Sequence, residues 1–454
     1  MEKNKFEIDM CNGPIMSKLI SFSVPLILSG MLQLMFNAVD IIVVGQFSGS
    51  TSLAAVGSTT ALINVFVNLF MGISLGANVV SARCYAMGRR EEMSKTVHTA
   101  IAIALVSGII MAVIGVIFAK GALLLMGTPE NVINLSTLYM RIYFLGMPFF
   151  MLYNYGAAIL RAVGDTKRPL LFLVISGCIN AGINMLLVIV FDMGVAGVAI
   201  GTVISQFVSC ALVINCLYRT KSSYQLRFSK LKIEKDYMIQ IFQVGVPAGI
   251  QSTVINFSNA LLQSSVNSFG SVAMAGYTAA NNVLGFLYVS VNSITQACMS
   301  FTSQNYAVGK HKRMDRVLID CMVLSISVAL ILGGGAYLFG TYILNIYTSD
   351  ADVIKCGLEI LSITTVPYFF CGIMDLFPGA LRGMGYSTIP MILSIIGTVG
   401  IRILWIFVFF PMHRSLYFLF ISYPGSWIAT IVMQVICYML VRKKIASQGT
   451  LSND

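Results

Sequence analysis

Residues 25–49 read PLILSGMLQLMFNAVDIIVVGQFSG. The run is apolar for longer than the roughly 20 residues needed to cross a bilayer core of about 30 Å. Two-thirds of the way along it stands a carboxylate, Asp40, and no other acidic residue lies between Asp9 and Glu91. An ionisable group at such depth costs about 2.5–3.5 kcal/mol on insertion scales, which marks Asp40 as a functional site. Gln33, Asn37 and Asp40 are spaced i, i+4, i+7 and share one helix face. Lipid cannot satisfy that polar stripe, so it has to face protein or a wet cavity. Pro25, near the start, frees a carbonyl one turn back and is expected to kink the helix. The competing reading makes Asp40 a plain interhelical hydrogen-bond partner.

The rest of the chain has the same character. Of its 454 residues 57% are hydrophobic and only 10% charged, against about 25% charged in soluble domains. Apolar stretches long enough to span recur from end to end. They lie near 16–44, 53–80, 96–118, 132–160, 169–191 and 194–217, then near 237–265, 273–300, 317–345, 353–381, 389–410 and 415–441. This predicts an all-α membrane protein of twelve transmembrane helices. With the N-terminus placed inside, all of the 29 Lys and Arg except Lys120, Arg141, Lys355, Arg402 and Arg414 collect at the inner side. That bias puts both termini in the cytoplasm. The formal charge of +11 thus sets topology, and no nucleic-acid partner is expected. The ten cysteines are scattered, with neither disulfide nor metal spacing. The polar N-terminus lacks a cleavable signal, so the first helix is expected to stay in the mature protein.

The two halves repeat each other. SFSVP ending at Pro25 matches FQVGVP ending at Pro247, and FSGSTSLAAVG from Phe47 matches FGSVAMAGYT from Phe269. YAMGRREEM from Tyr85 matches YAVGKHKRM from Tyr306, and ILRAVGDTKRP from Ile159 matches ALRGMGYSTIP from Ala380. The expected organisation is a six-helix half at 1–217, a basic cytoplasmic linker at 218–236, a second six-helix half at 237–441 and a cytoplasmic tail at 442–454. Six helices per repeat, both starting inside, make a parallel repeat. Two pseudo-symmetric bundles of this kind build transporters around a central cavity, opened by rocking one half on the other.

Asp40 in helix 1, the small-residue stretch 49–57 and the paired loops Leu160–Pro169 and Leu381–Pro390 resemble the multidrug and toxic compound extrusion (MATE) family. That family sits in a superfamily with lipid-linked oligosaccharide flippases. The resemblance covers essentially the whole chain. It implies a bacterial cytoplasmic-membrane antiporter, functioning as a monomer, that exports amphipathic, often cationic small molecules in exchange for H+ or Na+. It implies no other cofactor and no metal beyond a possible Na+ at Asp40. The family's N-terminal cation site carries over to Asp40, to Asn180 in INAGIN and to Thr202 in GVAGVAIGT. Asn184 departs from it, standing where the family has a second acid. One carboxylate with neutral oxygens can carry a proton, and can ligate sodium more weakly than two acids would. Another branch of the family places acids on helices 7 and 10. Helix 7 here has none, and instead Asn256, Asn259 and Gln263 line one face. Helix 10 carries Asp375, about one turn from that branch's position.

Asp375 and Arg402, each costly alone in hydrocarbon, are expected to pair within the second half. Asn154 and Tyr139 of helix 4 are further cavity candidates, Tyr139 as one of an aromatic cluster suited to flat cations. With Gln33, Asn37, Asn256, Asn259, Gln263, Asp375 and Arg402 they make up the expected substrate cavity. No nucleophile–base pair, metal spacing or phosphate loop occurs in the spans, so an enzyme is not expected. The alternative function is a flippase for a lipid-linked cargo. A flippase of anionic precursors would line its cavity with several basic residues, and only Arg402 and Arg141 qualify.

Overall fold

Lipid offers backbone N–H and C=O groups no partner, so apolar runs of this length fold as helices. The computed structural model describes residues 6–451. The first half comprises α1 (Ile15–Phe47), α2 (Gly49–Ala86), α3 (Arg90–Leu125), α4 (Glu130–Leu145), α5 (Met147–Ala162), α6 (Lys167–Met185) and α7 (Gly194–Arg219). The second comprises α8 (Lys235–Asn267), α9 (Ser271–Ala307), α10 (His311–Leu338), the short α11 (Gly340–Asn345), α12 (Ala351–Thr364) and α13 (Tyr368–Gly383). It continues with α14 (Thr388–Ser394), α15 (Ile401–Leu404), α16 (Leu416–Phe420) and α17 (Ser422–Leu451). Among the described residues ten helical segments are long and apolar enough to span, and twelve when each of two bent pairs counts as one. Side chains such as Phe118, Leu338 and Ile346 stand largely exposed on them, as a lipid-facing surface requires.

The fourth span of each repeat, expected as a single helix, is broken. α4 and α5 meet at 45°, and α12 and α13 at 51°. The breaks fall at Gly146 before Pro148, and at Pro367 with the two residues before it, where a missing N–H interrupts the ladder. Each LRxxG loop turns on a glycine in the left-handed region, Gly164 at φ +94° and Gly385 at φ +89°, a conformation other residues rarely adopt. In the first of these loops Asp165 is fully buried and paired with Arg168. Burial pushes its carboxyl above the usual carboxylate range, against the pull of the guanidinium.

The chain divides into two compact units. One contains Val24–Gly249 with the described residues up to Met10, and the other contains Cys11–Ser23 with everything from Ile250 onward. The unit boundaries therefore cut α1 just before Pro25 and α8 just after Pro247, and not at the linker. In the first unit Glu7 accepts hydrogen bonds from Tyr85 (2.7 Å) and Tyr224 (2.8 Å). Within the second, Lys310 donates to the Cys11 carbonyl (2.9 Å) and to Asn12 Oδ1 (2.8 Å). The segment 218–236 packs down on the first unit. Tyr224 and Leu226 are fully buried, Arg227 N–H donates to His98 Nε2 at 3.0 Å and Glu234 N–H donates to Thr99 Oγ1 at 3.1 Å. The tail is helical through Leu451, while residues 1–5 and 452–454 lie outside the described residues.

The first turns of α8 belong to the first unit because of a backbone-to-backbone crossing. Gly72 and Gly76 on α2 (GISLG) meet Gly245 and Gly249 on α8 (GVPAG). A Cβ on Gly72 would lie 2.9 Å from the Gly245 carbonyl oxygen, and one on Gly245 2.9 Å from that of Ile73. This is a small-xxx-small crossing on both partners, held by close packing where no hydrophobic drive exists. Replacing Gly245 by Leu is expected to lower the thermal unfolding midpoint of the detergent-solubilised protein, by an overpacking cost of about 1–3 kcal/mol. Gly182→Ala, where a Cβ would meet open space, should leave it unchanged. Equal midpoints for the two variants would remove the crossing from the account.

Candidate functional site

The polar stripe of α1 is open at Gln33 and Asn37 and half-buried at Asp40. The buried partner comes from α6. Asn184, fully buried, donates from Nδ2 to Asp40 Oδ1 at 2.5 Å and lies 3.3 Å from Asn180 Oδ1. Asn180 and Asn184 are one turn apart and share a face, so the two amides form a short chain leading to the carboxylate. The residue standing where the family has a second acid is therefore the one in contact with Asp40. Its amide supplies a donor to the carboxylate, which a second carboxylate could do only when protonated.

Room for that amide is made by α7. A Cβ on Gly201 would overlap Asn184 Oδ1 and sit 3.0 Å from its Cγ. Asn184 Oδ1 itself is buried without a hydrogen-bond partner, an unusual state for a native polar atom. Thr202, next along, turns its hydroxyl back to the Val198 carbonyl at 2.9 Å, so in this arrangement it supports its own helix. Two residues past Asn184 the helix widens into a π turn, Leu186–Val190, a device frequent at functional sites.

From α4, Tyr139 and Tyr143 stack at 6.0 Å and both lie within the electrostatic reach of Asp40. Tyr143 thus joins Tyr139 at the site, and its i+4 spacing from Tyr139 is the signal that could have placed it there. Asn154, on α5, is buried and donates to the Phe150 carbonyl at 2.8 Å, so its amide is used within its own helix. No group of three or more His, Cys, Asp and Glu lies together among the described residues. A sodium ion at this site would have to use the Asp40 carboxylate and the neutral oxygens of Asn180, Asn184 and Thr202.

The second unit carries a different cluster. On α8, Asn256 and Gln263 are exposed and Asn259 is half-buried. Asn259 Oδ1 accepts from Arg402 Nη1 at 2.8 Å. Arg402 Nε donates to Ser426 Oγ at 3.2 Å, and the guanidinium carbon lies 4.1 Å from the Tyr423 ring centroid. The ion pair expected between Asp375 and Arg402 is not formed. Asp375 instead feels the charge of Arg382, seven residues on along the same face of α13, and Arg382 Nη2 donates to Gln251 Oε1 at 2.6 Å. The carboxylate belongs to the LRG end of its helix, whereas Arg402 reaches α8 and α17, which offer it only neutral partners.

Paired six-span repeats, each with its own intramembrane polar cluster, are the build of a secondary transporter. The MatE family profile matches residues 25–186 and again residues 247–408, and the chain belongs to the MatE family. It is 29% identical to the probable multidrug resistance protein YoeA of Bacillus subtilis, over 93% of both chains. To the multidrug export protein MepA of Staphylococcus aureus it is 22% identical over 87% of each. Its fold is that of a solved multidrug resistance MATE family transporter of the MOP superfamily, with a TM-score of 0.89 at 18% identity over 99% of this chain and 100% of that one. A variant of the Vibrio cholerae MATE transporter VcmN gives 0.88 at 18% identity, over 94% and 97%. These relatives are transporters and not enzymes.

The close fit of Gly201 against Asn184 has a measurable consequence. Gly201→Val is expected to lower the unfolding midpoint, and adding Asn184→Ala should recover part of the loss, because truncation removes the amide that the new side chain meets. The coupling between the two substitutions should be about 1 kcal/mol or more. Additive effects in thermal denaturation would mean that Gly201 does not seat this amide.

Proposed function

We propose that this chain is a proton-coupled exporter of amphipathic small molecules. The reading fits a multi-pass protein of the bacterial cytoplasmic membrane with both termini inside, acting as a monomer. The observation that carries it is the Asp40–Asn184–Asn180 cluster. A lone carboxylate, held by a single neutral donor and flanked by an open polar stripe, can take up and release one proton without a second acid to share it. The names of YoeA and MepA support efflux of drug-like compounds as the direction and cargo class. Tyr139 and Tyr143, stacked beside the carboxylate, offer ring faces to a flat cation, so proton and substrate would compete for one lobe. Pro25 lies in the lower part of the same helix, with its carbonyl accepting from Ser29 Oγ at 2.7 Å. A change of charge at Asp40 would be relayed there as a change of helix bend. A flippase of lipid-linked pyrophosphates is the weaker reading, since of the second half's two buried arginines Arg382 lies near Asp375 and donates to Gln251, leaving Arg402 to meet such a cargo.

Ethidium efflux from proteoliposomes under separately imposed proton and sodium gradients tests this. Wild type should respond to the proton gradient, and Asp40→Asn should fall to the rate of protein-free vesicles while remaining folded. Normal driven efflux by that variant would sink the proposal, and a response to sodium alone would reassign the ion. Asn184→Asp, which supplies a second carboxylate, is expected to add a sodium response. An unchanged response in that variant would mean that Asn184 does not set the ion.

A further inference from the structure

The two MatE matches, residues 25–186 and 247–408, stand in register 222 residues apart. In that register Asn37 falls on Asn259, Asp40 on Leu262 and Asn180 on Arg402. The LRxxG loops stand only 221 apart, Pro169 against Pro390. The extra residue is explained by a π turn, Ile395–Gly400, because such a turn inserts one residue into a helix. A second π turn, Trp405–Phe409, follows, so the four residues of α15 that carry Arg402 are bracketed on both sides. The position of Asn180, one turn before the amide that contacts the acid of the first unit, therefore holds a guanidinium in the second, where the one acid of α8, Asp236, lies in its first turn.

Arg402 is 3% exposed. A buried charge is strongly destabilising unless something compensates it, yet its partners among the described residues are an amide oxygen, a hydroxyl and an aromatic face. Of the five N–H donors of a guanidinium, one on Nε and one on Nη1 meet protein acceptors, and Nη2 meets none among the described residues. Asn259 and Tyr423, which lie against it, are both half-buried. Asn256 and Gln263 extend the stripe of α8 as exposed amides on the same helix.

We propose that the second unit holds an anion subsite, centred on Arg402 with Asn259, Ser426 and Tyr423, which takes the carboxylate of a substrate molecule. One guanidinium with neutral hydrogen-bonding neighbours balances a single negative charge, and its planar fork matches a carboxylate. This deepens the exporter reading and rests on it. The cargo class becomes amphipathic molecules that carry a carboxylate as well as any cationic group.

The test uses a matched dye pair, rhodamine 19 (free acid) and rhodamine 6G (its ethyl ester), with the purified full-length protein in nanodiscs. Fluorescence polarisation gives the affinity ratio of acid to ester. Arg402→Gln should reduce that ratio by about tenfold, mainly through the acid, with the ester nearly unchanged. On wild type, millimolar benzoate should displace the acid and leave the ester bound. That arm decides the matter should the variant fail to fold. An unchanged ratio in folded Arg402→Gln, or benzoate displacing both dyes or neither, overturns the subsite and leaves Arg402 a clamp between α8 and α17. Gradient-driven uptake of the same dyes into proteoliposomes is scored separately. If neither dye moves, the transport reading falls, while the binding ratio still decides the subsite.

Discussion

A charged side chain inside hydrocarbon has to be answered by protein or by water, and the arrangement of each half follows from how its charge is answered. In the first unit the answer to Asp40 is the Asn184 amide at 2.5 Å. That contact demands a helix close enough to deliver the amide, and the closeness demands the missing side chain at Gly201. It also leaves Asn184 Oδ1 without a partner, so the same amide that stabilises the carboxylate keeps an acceptor in reserve.

The prolines of the two halves act at equivalent places. The two unit boundaries that fall inside helices lie next to them, between Ser23 and Val24 just before Pro25 and between Gly249 and Ile250 just beyond Pro247. The leading turns of α1 therefore pack with one unit and the rest of that helix with the other, and α8 does the reverse. A proline inside a helix removes one ladder hydrogen bond, which is where a helix shared by two bodies can bend at least cost. The glycine crossing of α2 and α8 fixes one of these shared segments, and the edge-on contact of Phe22 with Phe301 at 5.6 Å helps fix the other.

Much of this was legible in the sequence, because lipid leaves few options. Twelve apolar runs, the basic-residue bias and the internal repeat determine helix number and the pairing of the halves, and Asp40 is conspicuous as the one acid in more than eighty residues. The breaks in the fourth span of each repeat were marked by Pro148 and Pro367, yet hydropathy alone runs straight through both. Exchange of helix ends between units leaves no local signal, since it depends on which backbones can approach. The π turns are harder to place: Ile395–Gly400 reads IIGTVG, a run of glycine and β-branched residues that weakens a helix without saying where one residue is inserted. The pairing expected of Asp375 with Arg402 failed for a related reason. Depth and charge can be counted along a chain, but helix rotation decides which charges meet, and one inserted residue turns the helix by roughly 100°.

That single rotation carries weight beyond register. The two repeats place their polar groups differently. In the first half the stripe carries the acid, Asp40, and the fifth span is neutral at Asn180 and Asn184. In the second the stripe is neutral, with Asn259 where the first has Asn37, and the fifth span carries Arg402. A carboxylate at the second position would duplicate the first half's preference for cations. On the proposed reading a guanidinium there favours an anionic group, whereas the Asp40 carboxylate of the first unit favours a proton. Since Asn259 and Ser426 are neutral and Tyr423 contributes only its ring face, removing the positive charge at Arg402 would leave the packing partners in place and cancel only the electrostatic asymmetry.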